Sequence, residues 1–241
     1  MATSIGSNPY KQDLFTALKA LRKLLADGND TVQVFRIMRA LNGPSMPRNF
    51  NRLLSTPEGR RLVYRREELA ERLSDPAFIA SFAPGTVGAT YRAFLERTGY
   101  SADGLATVSN QDQEPLVEDA YMWFGRRTRD IHDIWHVLTG YRADESLGEA
   151  ALVAFSYAQT GGKGWAFIAV AASLKSLRVT GSLAFARAVL EGYRLGRRAK
   201  WLLGEDYEAL LNEPIDAARQ RLGIAEPTHY LACKPMAEWT A

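Results

Sequence analysis

Apolar residues recur along this chain with the period of a helix rather than that of a strand. In "DLFTALKALRKLLAD", Leu14, Leu18, Leu21 and Leu25 fall at spacings of four, three and four, which puts them on one helical face. Asn29, Asp30 and Thr31 offer a cap for a second helix through "TVQVFRIMRALN", and "GPSMP" (residues 43–47) reads as a loop. "STPEGRRLV" has Ser55 or Thr56 as cap, Pro57 in the first turn and Glu58 near the positive end of the helix dipole. A further start at Pro84 and Gly85 leads into a helix through Arg97.

The polar, broken run "SADGLATVSNQDQEP" (residues 101–115) reads as a mobile loop. After it a long helix is expected from about residue 117 to residue 139, capped by Gly140, and a second from about residue 145 to residue 159. "TGGKG" breaks the pattern. Two more helices end near Lys175 and Leu203, "NEPIDAARQRLGI" forms another, and the tail from about residue 225 is irregular. No run of alternating β-branched residues appears, and no Gly/Ser linker divides the chain. The expected fold is all-α: one multi-helix domain over residues 1–241.

Composition narrows the class. With 46% hydrophobic and 24% charged residues the chain can bury a core and is not disordered as a whole. A net charge of +3 is too mild for a dedicated nucleic-acid binder. The local excesses are Arg126, Arg127 and Arg129, and Arg194, Arg197, Arg198 and Lys200. They suit either solvated helix faces or contacts to phosphate, carboxylate or anionic lipid. The one cysteine, Cys233, allows no intrachain disulfide and no cysteine-based zinc site. No secretory signal is visible, and "GWAFIAVAASL" (residues 164–174) is half the length of a membrane span. The expectation is a cytoplasmic protein, peripheral to the inner face of a membrane.

The chemistry concentrates in "RDIHDIWHVLTGYRADESLGEAALVAFSYAQT". His132 and His136 are two of the chain's three histidines, and at i and i+4 they share one helical face. Asp133 is rotated from them by about 100° and joins from the flank. Glu149 opens the next helix, which a helical hairpin folds back toward the first. Two imidazoles and two carboxylates suit a divalent ion, zinc first, with iron, manganese or magnesium as alternatives. A polar face on an ordinary helix is the competing reading.

Rival chemistries fail on residue type. A metalloprotease helix needs Glu where Asp133 stands. A histidine–aspartate phosphohydrolase needs a further histidine upstream, and none precedes His132. A cysteine hydrolase would rest on Cys233 in the tail. His229, far from the pair, reads as a surface residue.

"HDIWH", the "LTG" cap and "LGE" resemble the metal motif of the coenzyme Q biosynthesis family known as Coq-four: H-D-x-x-H, a spacer of eleven, then E. "TPEGRRL", "PGTVGATYRAFLERTGYS", "GEAALVAFSYAQTG" and "PIDAARQRLGI" extend the likeness from about residue 32 to residue 224. Here the spacer from His136 to Glu149 holds twelve residues. The extra residue falls in the turn, where insertions are best tolerated. Glu145 is the alternative fourth ligand.

The resemblance implies an all-helical protein that binds a divalent metal through His132, Asp133, His136 and Glu149. It implies decarboxylation, coupled to hydroxylation, at the carboxylate-bearing ring carbon of a polyprenylated hydroxybenzoate. A hydrophobic groove for the isoprenoid tail would draw on "WAFIAVAASL" and "LVAFSYA", although a helical domain needs most of those residues for its core. The implied partners are a polyprenylated aromatic lipid, other quinone-biosynthesis enzymes, a membrane surface and a second copy of the chain. Arg129, three residues before His132 and seven before His136, either pairs with the substrate carboxylate or balances Asp133. A non-catalytic lipid-binding scaffold is the other class of function.

Overall fold

The computed structural model describes residues 12–28, 30–101 and 119–233. Among these residues there is no strand, only one isolated antiparallel bridge between Thr86 and Pro214. The helices are α1 (Leu14–Ala26), α2 (Thr31–Leu41), α3 (Ser45–Leu54), α4 (Pro57–Arg65), α5 (Leu69–Ser74), α6 (Pro76–Ala80), α7 (Val87–Thr98), α8 (Ala120–Asp130), α9 (His132–Thr139), α10 (Ser146–Thr160), α11 (Lys163–Thr180), α12 (Ala184–Arg198), α13 (Tyr207–Leu210), α14 (Ile215–Leu222) and α15 (Thr228–Cys233). A 3-10 turn over Leu202–Gly204 lies between α12 and α13. The fold is the all-α, single multi-helix arrangement that the periodicity predicts.

Several helix starts follow from side chains that satisfy orphan amides. Thr56 accepts from the Gly59 amide at 3.0 Å, with Pro57 following as the first helical residue. Thr86 accepts from Ala89, and Asp119 accepts from both Tyr121 and Met122.

The expected boundaries shift in five places. The 43–47 loop is shorter, because α3 already begins at Ser45 and Pro47 sits in its first turn, where its missing N–H costs nothing. The long helix divides at Ile131 into α8 and α9, although the Ile131 amide still donates to the Arg127 carbonyl. α11 continues to Thr180 and α12 stops at Arg198. The tail holds a helix, α15, which tertiary contacts stabilise beyond its weak local signal. In α1 the buried face is Ala17, Ala20, Leu21 and Leu24, while Leu14 and Leu18 are exposed. The 101–115 run lies outside the described residues apart from Ser101.

The centre of the domain is α10. It is buried nearly all round, with Leu147, Ala150, Ala151, Leu152, Val153, Ala154 and Phe155 in the main core, so "LVAFSYA" packs the interior rather than lining a groove. α12 lies along it, and glycine sets the distance: a Cβ at Gly192 would stand 2.4 Å from the Ala151 carbonyl oxygen. α11 covers another side of α10, and α1 and α2 form a smaller cluster with α11. α9 packs on α7 and α14. Arg219 of α14 donates to the carbonyls of Val137 and Leu138, which closes the C-terminal end of α9.

Candidate metal centre

α9 carries three candidate ligands within five residues. Ligand atoms of His132, Asp133 and His136 all lie within 4.8 Å of one another. Asp133 and His136 are buried. A tetrahedral ion with bonds of about 2.1 Å would hold such atoms roughly 3.4 Å apart.

Glu149 supplies the fourth side. Its Oε1 lies 3.2 Å from His136 Nε2, and its Oε2 lies 3.8 Å from His132 Nε2. The longer turn therefore still brings the glutamate to both imidazoles. The reason is Gly148, against which the turn backbone lies flat: a Cβ there would stand 2.0 Å from the Arg142 carbonyl oxygen. Glu145 faces elsewhere, toward Arg142 and Tyr230.

The orientation of His136 is fixed from behind. Its Nδ1 lies 2.9 Å from the Tyr141 carbonyl, which can only accept, so Nδ1 carries the proton and donates. The lone pair is then on Nε2, which is buried and has no hydrogen-bond partner, because the facing Glu149 carboxylate has no proton to donate. A buried, unsatisfied nitrogen is costly unless something else meets it. The donor set around it, two imidazoles and two carboxylates, fits a divalent cation.

Charge coupling inside the site is strong. Partial burial opposes ionisation of Glu149, but the His136 and His132 imidazoles outweigh it and hold the carboxyl far below its ordinary range. Without an ion, burial opposes a second proton on His136, but Glu149 and Asp133 outweigh it and raise the imidazole above its usual value, so a proton competes with a cation for Nε2. Asp133 is raised by burial, against the pull of both histidines.

Aromatic rings wall the site. Phe94 of α7 stacks on His136 with centroids 6.0 Å apart, and Trp165 of α11 stacks on His132 at 5.8 Å with the planes 6° from parallel. Tyr100 meets Phe94 edge-on at 6.1 Å. Its phenol is raised first by burial and then by the nearby charges of Glu149 and Asp133. Neither ring stack was expected from the sequence; Trp165 just after "GGKG" was the nearest signal.

The expected arginines sit differently. Arg126 pairs with Glu68, and Arg127 forms two 2.8 Å bonds to Glu208. Both therefore brace the scaffold rather than form an anion-binding patch. Arg129 is bonded to its neighbour Asp130 at 2.7 Å. His229 is exposed, at the start of α15.

The sequence model of the family described as Coenzyme Q (ubiquinone) biosynthesis protein Coq4 matches residues 3–228. The Pyrenophora tritici-repentis protein named Ubiquinone biosynthesis protein coq4, mitochondrial, is 31% identical over 191 residues, covering 73% of this chain and 59% of that protein. The matched region is thus less than two thirds of that relative's length. The Uncinocarpus reesii protein of the same name is 30% identical over 243 residues, covering 94% of this chain and 73% of that one. A crystal structure from Nostoc punctiforme, named as a candidate ubiquinone biosynthesis protein, superposes with a TM-score of 0.65 at 22% identity, covering 90% of this chain and 100% of that one, and supports the fold. With residues 3–228 matched, nearly its whole length, the chain belongs to the Coenzyme Q (ubiquinone) biosynthesis protein Coq4 family.

Proposed function

We propose that this chain is a metal-dependent enzyme of coenzyme Q biosynthesis that removes the ring carboxylate of a polyprenylated hydroxybenzoate and leaves a hydroxyl in its place. The observation that carries the reading is His136 Nε2: buried, oriented, unpartnered and ringed by His132, Asp133 and Glu149. These four residues would hold the ion, which when bound supplies a Lewis acid for the substrate carboxylate or phenolate.

The chain's own residues do the rest. The Tyr141 carbonyl holds the His136 tautomer, and Trp165, stacked on His132 and only partly buried, gives a flat apolar wall against which an aromatic head group can lie and from which water is displaced. Arg129 remains the candidate for the substrate carboxylate, and to serve it the guanidinium would have to exchange or share Asp130. Replacing carboxylate by hydroxyl breaks the ring–carboxyl bond, releases carbon dioxide and withdraws two electrons from the substrate. An oxidant such as dioxygen must accept them. The deciding experiment incubates metal-loaded protein with a prenylated hydroxybenzoate, with and without oxygen, and follows carboxylate loss by mass spectrometry. No mass change under either condition would refute the enzyme reading.

A lipid-binding scaffold that presents precursors to other quinone-biosynthesis enzymes is the second reading, and a surface feature favours it. Between residues 163 and 200 the chain has eight Lys or Arg residues and one acid, Glu191. Large apolar residues are exposed in the same region, Val170 and Leu174 on α11, Leu183 just before α12 and Leu190 on it, with Phe15 at 79% exposure on α1. Apolar and basic side chains together suit the surface of an anionic bilayer. Among the described residues no helix is long and apolar enough to cross a membrane. Co-purified isoprenoid lipid and salt-sensitive binding to anionic vesicles, without turnover, would select the scaffold.

A further inference from the structure

The turn between α9 and α10 positions both ends of the candidate metal centre. At one end the Tyr141 carbonyl orients His136. At the other, the Glu145 carbonyl accepts from the Glu149 amide and starts the helix that carries the fourth ligand. Nothing within α9 or α10 alone fixes the path between them.

Tyr230, on the C-terminal helix α15, does. Its hydroxyl accepts from the Arg142 amide at 3.1 Å and donates to Glu145 Oε2 at 2.7 Å. Its ring meets Tyr141 edge-on, centroids 5.1 Å apart. Ring packing alone would be served by phenylalanine, whereas the hydroxyl spends both of its bonds on the turn. α15 is itself fixed by Glu191 of α12, which accepts from the Thr228 hydroxyl and from the amides of His229 and Tyr230.

We propose that Tyr230 is a positioning residue of the metal centre. By bridging Arg142 and Glu145 it holds the Tyr141 carbonyl against His136 and the start of α10 where Glu149 meets both imidazoles. The inference rests on the metal-centre reading and adds to it that the C-terminal helix is part of the site's support. Groups behind the ligands commonly change metal affinity by about 10–100-fold when removed.

Tyr230→Phe keeps the ring and removes the bridge. Two measurements on the full chain test it: cobalt and zinc affinity by competition with a chromophoric chelator, and the nitrogen-15 ring shifts of His136 in metal-free protein at a pH high enough to leave the imidazole neutral. The expected results are affinity weakened by ~10–100-fold and a shift from one Nδ1-protonated tautomer toward a mixture. Thr228→Val removes one of the bonds from α15 to Glu191 and leaves the Tyr230 bridge in place, so it should move both readouts in the same direction but by less. Wild-type affinity and a single tautomer in Tyr230→Phe would overturn the proposal, whatever happens to its melting temperature. Should Tyr230→Phe not fold, Glu145→Ala removes one of the same two bonds and is read the same way. If the wild-type chain binds neither metal, the metal-centre reading fails, while the tautomer measurement still decides the role of Tyr230.

Discussion

His136 Nε2 and Glu149 Oε1 stand 3.2 Å apart, yet the nitrogen accepts and donates no hydrogen bond. The two groups come from different helices, α9 and α10, and meet beside His132 and Asp133. A buried nitrogen without a hydrogen-bond partner, beside two carboxylates and a second imidazole, is an arrangement that a shared cation would satisfy.

Removing either imidazole should therefore empty the site while sparing the fold. His132→Ala, at the partly exposed edge of the cluster, is expected to lose metal retention and quinone production while its circular dichroism stays helical. Complementation of a quinone-deficient strain together with metal analysis checks this, and full quinone output from His132→Ala would contradict the enzyme reading.

Gly148→Ala should weaken the centre without altering any ligand. Alanine normally favours a helix by about 1 kcal/mol over glycine, but here its Cβ would meet the Arg142 carbonyl at 2.0 Å. The turn must move, and Glu149 with it. Metal affinity is expected to fall by at least about tenfold, near 1.4 kcal/mol, in the same chelator competition.

Arg127 and Glu208 join α8 to α13 with side chains only 3% and 11% exposed. Breaking such a pair strands a buried charge and costs about 3–5 kcal/mol. For a chain of this size that corresponds to a melting temperature roughly 6–20 °C lower. Arg127→Met should show this drop in thermal unfolding, and adding Glu208→Gln should recover part of it.

Four buried tyrosines set the alkaline limit. Burial raises the phenols of Tyr91, Tyr141, Tyr207 and Tyr230 well above their ordinary value of 10.0, in Tyr207 against a countering hydrogen bond from Trp135. Their folded-state values exceed the unfolded ones, so this stability is complete below pH 10 and is lost as pH rises above it. Each contributes a loss of about 1.4 kcal/mol per pH unit, about 5.6 kcal/mol per unit together, against a total of about 5–15 kcal/mol. Unfolding is expected within one to three units above pH 10, and tyrosinate absorbance should rise in the same transition as the loss of helical signal. Full tyrosine ionisation in a still-helical protein would refute this.

The helical period and the H-D-x-x-H spacing made the fold class and the α9 cluster legible in the sequence, because both depend on contacts within four residues. Gly148 is one letter of a motif in the sequence, and only the folded turn shows which backbone it accommodates. Trp165, Phe94 and Tyr230 reach the site through contacts between distant segments, which leave no local pattern. The arginines misled for a related reason: charge is visible in a sequence, but the acids that neutralise it, Glu68 and Glu208, lie 58 and 81 positions away.

The His136 side chain is 1% exposed and that of Glu149 is 41% exposed. The centre thus has one sealed side and one that solvent reaches. An ion would exchange with chelators through the glutamate, the bond to break first on departure and to form last on arrival. The dissociation rate should consequently respond to substitutions at Glu149 far more than to repacking around Phe94, even where equilibrium affinities are similar.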